Sequence, residues 1–430
     1  MKKRSKKSEN TTQTTEHQEN IKAPESHSIV NTEIQVLKDA NENIGKDLAE
    51  ENPAEQPAEN EAVIVVPIIN NVAINQGGDH LPERFRFIDL FAGIGGFHYA
   101  MHEAGGDCVF ASEWDRFSRV TYEHNFRNIS PQLFANGNFN CDINEVDSIE
   151  KMNQIPDFDI LCAGFPCQPF SMAGLRRGFD DIRGTLFFQI ARIVQHKIDN
   201  GNAPRVLLLE NVKGLRNHDR GNTLREIVRV LEEELHYNVR MEVLNAKHFG
   251  VPQNRERLFI VAWRDNPNEA PLNFIFPYGL DNEGIPIFEK QLLPMNAVRS
   301  FLGDILEENP DPRYTISDRL FTGHQRRRME HAERGNGFGF TMFNTNSPYT
   351  STISARYYKD GSEILIDQSP RNPRKLTPVE AGRLQGYNIN VRADIPVSDV
   401  QAYKQFGNSV AVPVVKTLAL EIVNQLLNHI

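Results

Sequence analysis

One cysteine of this sequence lies where a strand gives way to a loop. Cys167 stands between Pro166 and Gln168 in FDILCAGFPCQPFSMAG, and the apolar residues that precede it predict a strand. A buried cysteine is often only a small hydrophobic residue of the core. Here Pro166 fixes the backbone while Gln168 and Ser171 supply hydrogen-bonding groups, which suits a reactive thiolate better. We therefore predict that Cys167 is a nucleophile at the edge of a sheet.

A carboxyl group and two guanidinium groups follow further along the chain. Glu210 comes near the end of the continuous apolar run APRVLLLENV. Arg255 and Arg257 occupy alternate positions before the buried strand of GVPQNRERLFIVAW, so that both point to one side. An acid at a strand end can be coincidental. Two adjacent strands that each end in a reactive group nevertheless predict a site that combines a thiol with an acid.

The start of the globular part predicts a cradle for a nucleotide-type cofactor. FRFIDLF (85–91) has the composition of a buried strand, AGIGG (92–96) of a glycine turn and FHYAMHEAG (97–105) of an amphipathic helix. Glycines let backbone amides approach a ligand, and the N-terminus of a helix favours negative charge. The spacing is not GxGxxG, so the turn alone is a weak signal.

The next two predicted strands end in residues that suit an adenosine. CVFASEWD (108–115) contains Glu113 at about the distance from the glycine turn at which a doubly wound fold binds ribose hydroxyls. Trp114 offers a flat face to an adenine ring. The alternative is a surface acid beside a core tryptophan. Asp142 and Ile143 come at the end of a third candidate strand, where Asp142 could accept a hydrogen bond from an adenine amine.

Composition divides the rest of the chain into parts. Residues 1–60 contain too little apolar surface to offset the entropy of ordering, which predicts a disordered tail, and 62–74 could form an edge strand or a docked linker. Alternating strands and helices continue to about Asp265, which is typical of an α/β fold. Residues 349–358 and 362–366 are candidate short strands of a separate mixed β lobe.

Helices are predicted again in the last part of the chain. Thr377 is a candidate N-cap of a helix over 376–387, and Pro378 suits its first turn. Residues 405–427 read as a turn followed by a long amphipathic helix.

Charge is distributed unevenly along the chain. The 430 residues carry 47 lysines and arginines against 57 aspartates and glutamates, for a net charge of −10. Residues 313–383 nevertheless hold twelve of the basic residues against seven acidic ones. A basic lobe on an acidic body is expected of a protein that binds phosphates at one face, although a solvated surface has the same local charge.

No segment predicts export, a membrane span or a metal site. The basic N-terminus lacks the apolar segment of a signal peptide, and no apolar run approaches the roughly 18 residues of a membrane span. The four cysteines form neither paired CxxC units nor a zinc pattern with histidine. We expect a cytoplasmic protein that has no membrane contact, metal ion or disulfide framework.

The motifs together resemble one enzyme family. FIDLFAGIGGF, ASEWD, GFPCQPFS, LLLENV, GVPQNRERLF, RKLTPVEAGRLQGY and QFGNSVAVPVV occur here in the order found in bacterial DNA cytosine-5 methyltransferases. The resemblance covers roughly 84–264 and 374–426. It implies a Rossmann-like α/β domain that binds S-adenosylmethionine (84–265) and a smaller mixed β target-recognition domain (266–373). A C-terminal part (374–430) returns to the catalytic domain, and 1–80 remain a polar tail.

The resemblance also implies how the reactive groups act. The Cys167 thiolate adds to carbon 6 of cytosine, and Glu210, kept protonated by burial, donates a hydrogen bond to ring nitrogen 3. Arg257 holds the carbonyl oxygen of the base, and Arg255 supports the cysteine loop or nearby phosphates. The base must be flipped out of the duplex, and the loop 167–184 would close over it.

The cofactor residues follow from the same resemblance. Residues of the glycine turn wrap the methionine part, Glu113 binds the ribose, and Trp114, Ile143 and Asp142 hold the adenine. The full set of expected cofactor residues is Phe91, Ala92, Gly93, Gly96, Glu113, Trp114, Asp142, Ile143, Pro166, Leu186, Asn408, Ser409 and Val410.

The resemblance implies double-stranded DNA as the partner. Similarity of the recognition lobe to those of relatives that modify the inner cytosine of CC-GG type sites predicts such a target. Arg356 and Lys359 could contact either phosphates or bases. We expect a monomer that protects DNA in a restriction–modification system, where a cognate endonuclease acts on the same site without stable binding.

Three other functions compete with this one. A methyltransferase that acts on tRNA carries the same motifs, although usually with a smaller recognition lobe. A DNA-binding regulator could retain the scaffold without catalysis, but the intact Cys167, Glu210 and Arg257 argue against such decay. A nicotinamide-dependent enzyme would require GxGxxG and a catalytic His or Tyr beside the cofactor, which the sequence does not contain.

Overall fold

The computed structural model describes residues 84–166, 186–265, 271–281, 285–288, 300–335 and 339–427, all of which belong to one compact unit, 71–430. Cys167, the loop 167–184 and the predicted N-terminal tail lie outside the described residues.

A seven-stranded mixed sheet forms the centre of the described part of the chain. Its strands are β1 (Arg86–Leu90), β2 (Asp107–Ser112), β3 (Phe139–Asn140), β4 (Ile160–Gly164), β5 (Val206–Val212), β6 (Asn238–Asn245) and β7 (Glu256–Trp263). They lie in the order β3-β2-β1-β4-β5-β7-β6, and β7 runs antiparallel to both neighbours whereas the other pairs are parallel. The predicted Rossmann-like α/β fold is therefore confirmed, and the carboxyl ends of the parallel strands meet at one edge.

Helices cover both faces of this sheet because successive residues of each strand point to opposite sides. The described residues as a whole form the helices α1 (Gly96–Glu103), α2 (Arg116–Phe126), α3 (Pro131–Ala135), α4 (Ile149–Met152), α5 (Leu186–Asp199), α6 (Asn222–Arg229), α7 (Asp318–Glu333), α8 (Pro378–Arg383), α9 (Asp399–Asn408) and α10 (Val412–Ile422), of which α7 packs against 371–374 instead of this sheet. Cys162 and Leu208 face the core that includes α1 and α10. Leu161 and Leu207 face the core that includes α5 and α6.

The C-terminal helices return to the beginning of the domain, where α10 packs on α1. The run Asp399–Leu427 is long and apolar enough to span a membrane, which corrects the expectation that no run reaches that length. However, 67% of its most apolar window is buried inside the protein. Extended backbone at Ser409 and Ala411 also separates α9 from α10. These residues therefore form core helices in the structure.

A smaller mixed sheet lies further along the chain, as predicted. Its strands are β8 (Met342–Phe343), β9 (Leu365–Gln368) and β10 (Arg371–Arg374), with β9 in the centre. The predicted strand at 362–366 is shifted toward β9. The predicted strand at 349–358 is wrong: the segment consists of irregular backbone and turns, with one isolated bridge between Thr350 and Gln253.

The entry into α8 is as the sequence predicts. The Thr377 side chain accepts a hydrogen bond from the Glu380 backbone N–H, and the Glu380 carboxylate accepts one from the Thr377 N–H. This reciprocal pair satisfies two backbone donors that a helix N-terminus leaves unpaired. The helix itself is shorter than the predicted 376–387, because it ends at Arg383 and Gly386 adopts a positive φ of 84°.

Candidate active site

A cavity of about 980 Å³ opens at the carboxyl edge of the large sheet. The glycine turn after β1, the ends of β2, β4 and β5, the start of β7 and the segment after α9 all contribute to its walls. The residues predicted for catalysis and cofactor binding that the structure describes all line this cavity: Phe91, Ala92, Gly93, Gly96, Glu113, Trp114, Asp142, Ile143, Pro166, Leu186, Glu210, Arg255, Arg257, Asn408, Ser409 and Val410. Cys167 follows Pro166 directly but lies outside the described residues.

The glycine turn is held to the end of β2 by one carboxylate. Glu113 Oε2 accepts a hydrogen bond from the Gly93 backbone N–H at 2.7 Å, and its Oε1 accepts one from the Asp115 N–H at 2.7 Å. Gly93 and Gly95 have positive φ values of 57° and 86°, which glycine adopts without strain. Burial raises the pKa of Glu113, and the two N–H donors oppose this shift. The carboxyl group thus lies at the cavity wall beside the turn.

Two residues beside Glu113 offer different surfaces to the cavity. The Trp114 side chain is 79% exposed, so that its ring is available to a ligand. Asp142 precedes a single 3₁₀ turn and accepts a hydrogen bond from the Asn144 N–H, and Ile143 next to it is buried. An aromatic ring, an apolar side chain and a carboxylate therefore lie on one side of the cavity.

The opposite side contains the predicted acid and its cation. The Nε of Arg257 lies 3.1 Å from Oε1 of Glu210, and both side chains are mostly buried, with 17% and 12% exposed. Burial raises the pKa of Glu210, while the charges of Arg257 and Arg255 act in the opposite direction. The effect of burial is larger, so the carboxyl group holds its proton at higher pH than an ordinary glutamate does.

The end of β4, which precedes the cysteine loop in the sequence, lies against this carboxyl group. A Cβ on Gly164 would lie 3.5 Å from Glu210 Oε2, which places the strand end against the acid. Asn211 donates a hydrogen bond from Nδ2 to the Phe165 carbonyl oxygen at 2.9 Å. The backbone that leads into Pro166 and Cys167 is therefore fixed beside Glu210.

The C-terminal segment closes the cavity over the glycine turn. A Cβ on Gly96 would lie 2.5 Å from Val410 Cγ2 and 3.0 Å from the Tyr387 hydroxyl, so this position has no room for a side chain. The Ser409 hydroxyl is hydrogen-bonded to that of Tyr387 at 2.8 Å. Residues far apart in the sequence thus form one continuous wall.

Comparison with known proteins identifies the family to which the chain belongs. The sequence profile of the family described as C-5 cytosine-specific DNA methylase matches residues 85–424. The chain belongs to this family.

Named relatives agree with the family assignment. The methylase is 48% identical to the type II methyltransferase M.SsoII of Shigella sonnei over 86% of each chain. It is 37% identical to the type II methyltransferase M.HpaII of Haemophilus parainfluenzae, over 89% of this chain and 99% of the relative. The crystal structure of the S. pombe Dnmt2 methyltransferase covers 80% of this chain with a TM-score of 0.58 at 19% identity, which shows a common fold.

S-adenosylmethionine is the methyl donor of this family, and the cavity of the methylase suits it. Its volume lies at the upper end of the range of ligand sites, about 300–1,000 Å³. The exposed indole of Trp114 has a flat face on which an adenine can stack, and the carboxyl group of Glu113 can accept hydrogen bonds from hydroxyl groups. Among the described residues, no group of three or more His, Cys, Asp and Glu side chains could hold a metal ion.

Arg255 is held differently from Arg257, although the two alternate along the chain. Its buried guanidinium donates to the carbonyl oxygens of Ile353, Gly407 and Ser409. Burial lowers the pKa of Arg255 to about 9, with the charge of Arg257 acting in the same direction. Its expected contact with the cysteine loop concerns residues outside the described part of the chain.

Sequence reasoning did not find all the residues that line the cavity of the methylase. Gln401, Lys404 and Gln405 of α9 and Tyr358 belong to its wall, together with Arg356, for which the sequence predicted a contact with DNA. The Lys404 ammonium lies 5.4 Å from the centre of the Tyr358 ring. The signal that pointed here was QFGNSV, directly after Lys404, but it gave no indication that the 349–358 segment would reach the same cavity.

Proposed function

We propose that Cys167, Glu210 and Arg257 carry out the methyl transfer of this enzyme, on a cytosine within a specific short sequence of double-stranded DNA. The observation that supports this best is the 3.1 Å pair between Arg257 Nε and Glu210 Oε1 in the cavity that Pro166 also lines. Cys167 is the next residue along the chain and lies outside the described residues, and we propose that its thiol joins the acid and the cation in one site.

The reaction requires that the cytosine ring be activated, since its carbon 5 is a poor nucleophile. When the Cys167 thiolate adds to carbon 6, a sulfur–carbon bond forms and the electrons of the 5,6 double bond move toward carbon 5 and nitrogen 3. S-adenosylmethionine would supply an electrophilic methyl group when it is bound. Carbon 5 would form a bond to this methyl carbon while the bond from the methyl group to the sulfonium sulfur breaks, so that S-adenosylhomocysteine leaves. Loss of the carbon 5 proton and cleavage of the sulfur–carbon bond then restore the double bond and the thiolate.

Glu210 stabilises the charge that the addition places on the ring. A protonated carboxyl group can donate its proton toward nitrogen 3, whereas a carboxylate would repel the electrons that collect there. Burial favours the protonated form of Glu210. Arg257, beside it, can donate to the carbonyl oxygen of the base and fix the ring against the acid.

The cytosine reaches these groups only outside the stacked duplex. The thiolate must approach the face of the ring, which neighbouring bases cover, and flipping the base out costs about a few kcal/mol. A cavity of about 980 Å³ with one wall at Trp114 and another at Glu210 is consistent with room for both cofactor and base. We propose that the loop 167–184 closes over the flipped base.

The cofactor would be held by the walls opposite Glu210. Glu113 accepts from the ribose hydroxyls, Trp114 and Ile143 flank the adenine, and Asp142 accepts from its amine. The glycine turn encloses the methionine part, and the remaining cofactor residues complete the pocket: Pro166, Leu186, Asn408, Ser409 and Val410.

The DNA would be read by a target-recognition domain over 266–373, while 84–265 and 374–430 form the catalytic domain. The basic excess of 313–383 supports contact with phosphates. Arg356 lines the cavity and is exposed, so it can meet the DNA next to the flipped base. The target is a CC-GG type site whose inner cytosine is modified.

The biological role we propose is protection of DNA in a restriction–modification system of the cytoplasm. The relatives M.SsoII and M.HpaII are named as type II methyltransferases, which supports this role. The methylase acts as a monomer, and a cognate endonuclease acts on the same sequence without stable binding to it.

Bisulfite sequencing of DNA from cells that express the chain tests the proposal. Methylated cytosines resist deamination, so we expect protection in one short motif with the natural chain and none with Cys167→Ser. Cys141→Ser is the matched control, because Cys141 is an exposed free cysteine that is not part of the cavity wall.

Two results would contradict the proposal. Protection that persists in Cys167→Ser would exclude this thiol as the nucleophile. Absence of protection by the natural chain, combined with methyl transfer from labelled cofactor to tRNA, would assign the activity to RNA instead.

A further inference from the structure

Arg255 lies between two segments that are distant in sequence and that both line the cavity. One is the 350–358 run, which contributes Ala355, Arg356 and Tyr358 to the cavity wall; in the proposed function this run faces the DNA. The other is the 407–410 loop, which begins in the last turn of α9 and packs against the glycine turn. A residue that is bonded to both segments therefore connects the proposed cofactor site with the proposed DNA site.

The guanidinium of Arg255 makes this connection through backbone oxygens. Nη1 donates to the Ile353 carbonyl at 3.1 Å, and Nη2 donates to the carbonyls of Gly407 at 3.0 Å and Ser409 at 2.6 Å. The Arg255 side chain is buried, with 3% of the residue exposed. The planar fork of an arginine holds its donors on separate nitrogens in a fixed geometry, whereas a lysine has its three donors on one nitrogen at the end of a flexible chain.

The contacts also satisfy carbonyl groups that α9 leaves unpaired. The last four carbonyls of a helix have no partner within it, and Gly407 belongs to the last turn of α9. A cation at this end also opposes the negative end of the helix dipole. The position of Arg255 therefore depends on the 407–410 loop having its cofactor-lining conformation.

The two segments touch one another as well as Arg255. A Cβ on Gly407 would lie 2.3 Å from the Ala355 nitrogen and 2.3 Å from the Ser354 carbonyl carbon. Because backbone atoms cannot move aside as a flexible side chain can, neither segment shifts here without displacing the other.

A second side chain fixes the same point of the 350–358 run. Gln253 Oε1 accepts from the Ile353 N–H at 3.1 Å, and its Nε2 donates to the Leu384 carbonyl oxygen at 3.0 Å. Gln385 in turn donates to the Phe406 carbonyl oxygen at 2.6 Å. The carbonyl group of Ile353 is thus bound by Arg255, and its N–H is bound by Gln253. Both side chains connect Ile353 to the end of α9, Arg255 directly and Gln253 by way of 384–385.

We infer that Arg255 is a positioning residue that couples the cofactor-lining 407–410 loop to the DNA-facing 350–358 run. This inference rests on the proposed function, which it deepens. When the cofactor orders the 407–410 loop, it would also order the 350–358 run before DNA binds, and so increase the affinity for DNA. By linkage, bound DNA would increase the affinity for the cofactor by the same factor. Within the described residues, the guanidinium of Arg255 donates to the backbone of the two segments, and Arg255 acts through them.

Hydrogen exchange of the full chain, with and without S-adenosylhomocysteine, tests this coupling without requiring methyl transfer. In the natural chain we expect the ligand to slow amide exchange in the 350–358 run by about fivefold or more. In Arg255→Lys the ligand should still bind, and the slowing in this run should fall below about twofold. Direct contact between ligand and run would instead leave the slowing unchanged in the variant, which would overturn the inference.

Two further variants separate coupling from general destabilisation. Gly407→Ala should also uncouple the segments, because its methyl group would push Ser354 and Ala355 away, and it carries the test alone should Arg255→Lys not fold. Arg374→Lys is the matched control: it weakens a buried ion pair with Glu380 at 2.7 Å, outside the cavity wall, and should leave the slowing intact. If the ligand no longer slowed exchange of the 350–358 run in Arg374→Lys, the result for Arg255→Lys would be explained by loss of stability alone, and the inference would be overturned.

The outcome also separates this inference from the proposed function. A natural chain that binds S-adenosylhomocysteine without slower exchange in the 350–358 run overturns the inference and leaves methyl transfer untouched. A natural chain that does not bind the ligand overturns both.

Discussion

Glu210 and Arg257 lie on neighbouring antiparallel strands, and their side chains meet with 3.1 Å between Oε1 and Nε. Arg257 pairs with Val212 and Glu210 pairs with Phe259, so the two form a diagonal pair across β5 and β7. Such diagonal neighbours are within reach of long side chains. The reversed direction of β7 therefore brings an arginine from the beginning of one strand to an acid near the end of another.

Replacement of Glu210 by glutamine should slow methyl transfer by about 10²- to 10⁴-fold. The amide can still donate a hydrogen bond to nitrogen 3, but it cannot transfer a proton. Single-turnover methylation of DNA measures the rate. Calorimetry with S-adenosylhomocysteine should give an affinity within about twofold of that of the natural chain, which is a difference in binding free energy far below the 1.4 kcal/mol of a tenfold change. Glu226→Gln on α6 provides the control, and an unchanged rate in Glu210→Gln would remove Glu210 from the mechanism.

Replacement of Arg257 by methionine should move the alkaline limb of the pH–rate profile to higher pH. The Arg257 charge lowers the pKa of Glu210 against the larger effect of burial, so its removal raises that pKa further. The active form of Glu210 carries a proton, and activity is therefore lost as pH rises through its pKa. The maximal rate should fall as well, because the base loses a donor to its carbonyl oxygen.

Arg257→Lys keeps the charge and serves as the comparison for this profile. Its alkaline limb should lie close to that of the natural chain. An alkaline limb that stays in place in Arg257→Met would mean that another group sets it.

The sequence predicts this site better than it predicts the parts that support it. Glu113 and Glu210 could be placed because parallel strands that end together bring their terminal residues to one edge. Tyr358 and Lys404 could not, because no local pattern tells that an irregular segment and the end of a distant helix meet at the same cavity. The 350–358 run contains the β-branched and aromatic residues of a strand, yet Gln253 and Arg255 hold its backbone in place of a neighbouring strand.

Replacement of Trp114 by alanine should weaken cofactor binding by about tenfold, which corresponds to about 1.4 kcal/mol. Its side chain is 79% exposed, so little packing is lost and the melting temperature should be unchanged. Calorimetric titration with S-adenosylhomocysteine and thermal denaturation measure the two quantities. Met329→Ala, which removes another exposed apolar side chain, on α7, should change neither. Equal affinity in Trp114→Ala would show that adenine does not stack on this ring.

Replacement of Asp89 by asparagine should flatten the dependence of stability on pH. Asp89 is fully buried on β1, and burial raises its pKa well above the ordinary value of 3.8, against the smaller effect of the His98 backbone N–H. The folded chain thus holds this proton more tightly than the unfolded chain does. Its contribution to the free energy of unfolding is complete below about pH 3.8 and is lost as pH rises through the raised pKa.

Thermal denaturation between pH 4 and 8 measures this effect in both chains. The natural chain should lose stability relative to Asp89→Asn as pH rises, whatever the offset between them at pH 4, because asparagine has no proton to lose. Asp199→Asn, at the exposed end of α5, should follow the natural chain at every pH. Parallel curves for the natural chain and Asp89→Asn would mean that Asp89 is as fully ionised in the folded chain as in the unfolded chain, and that burial does not raise its pKa.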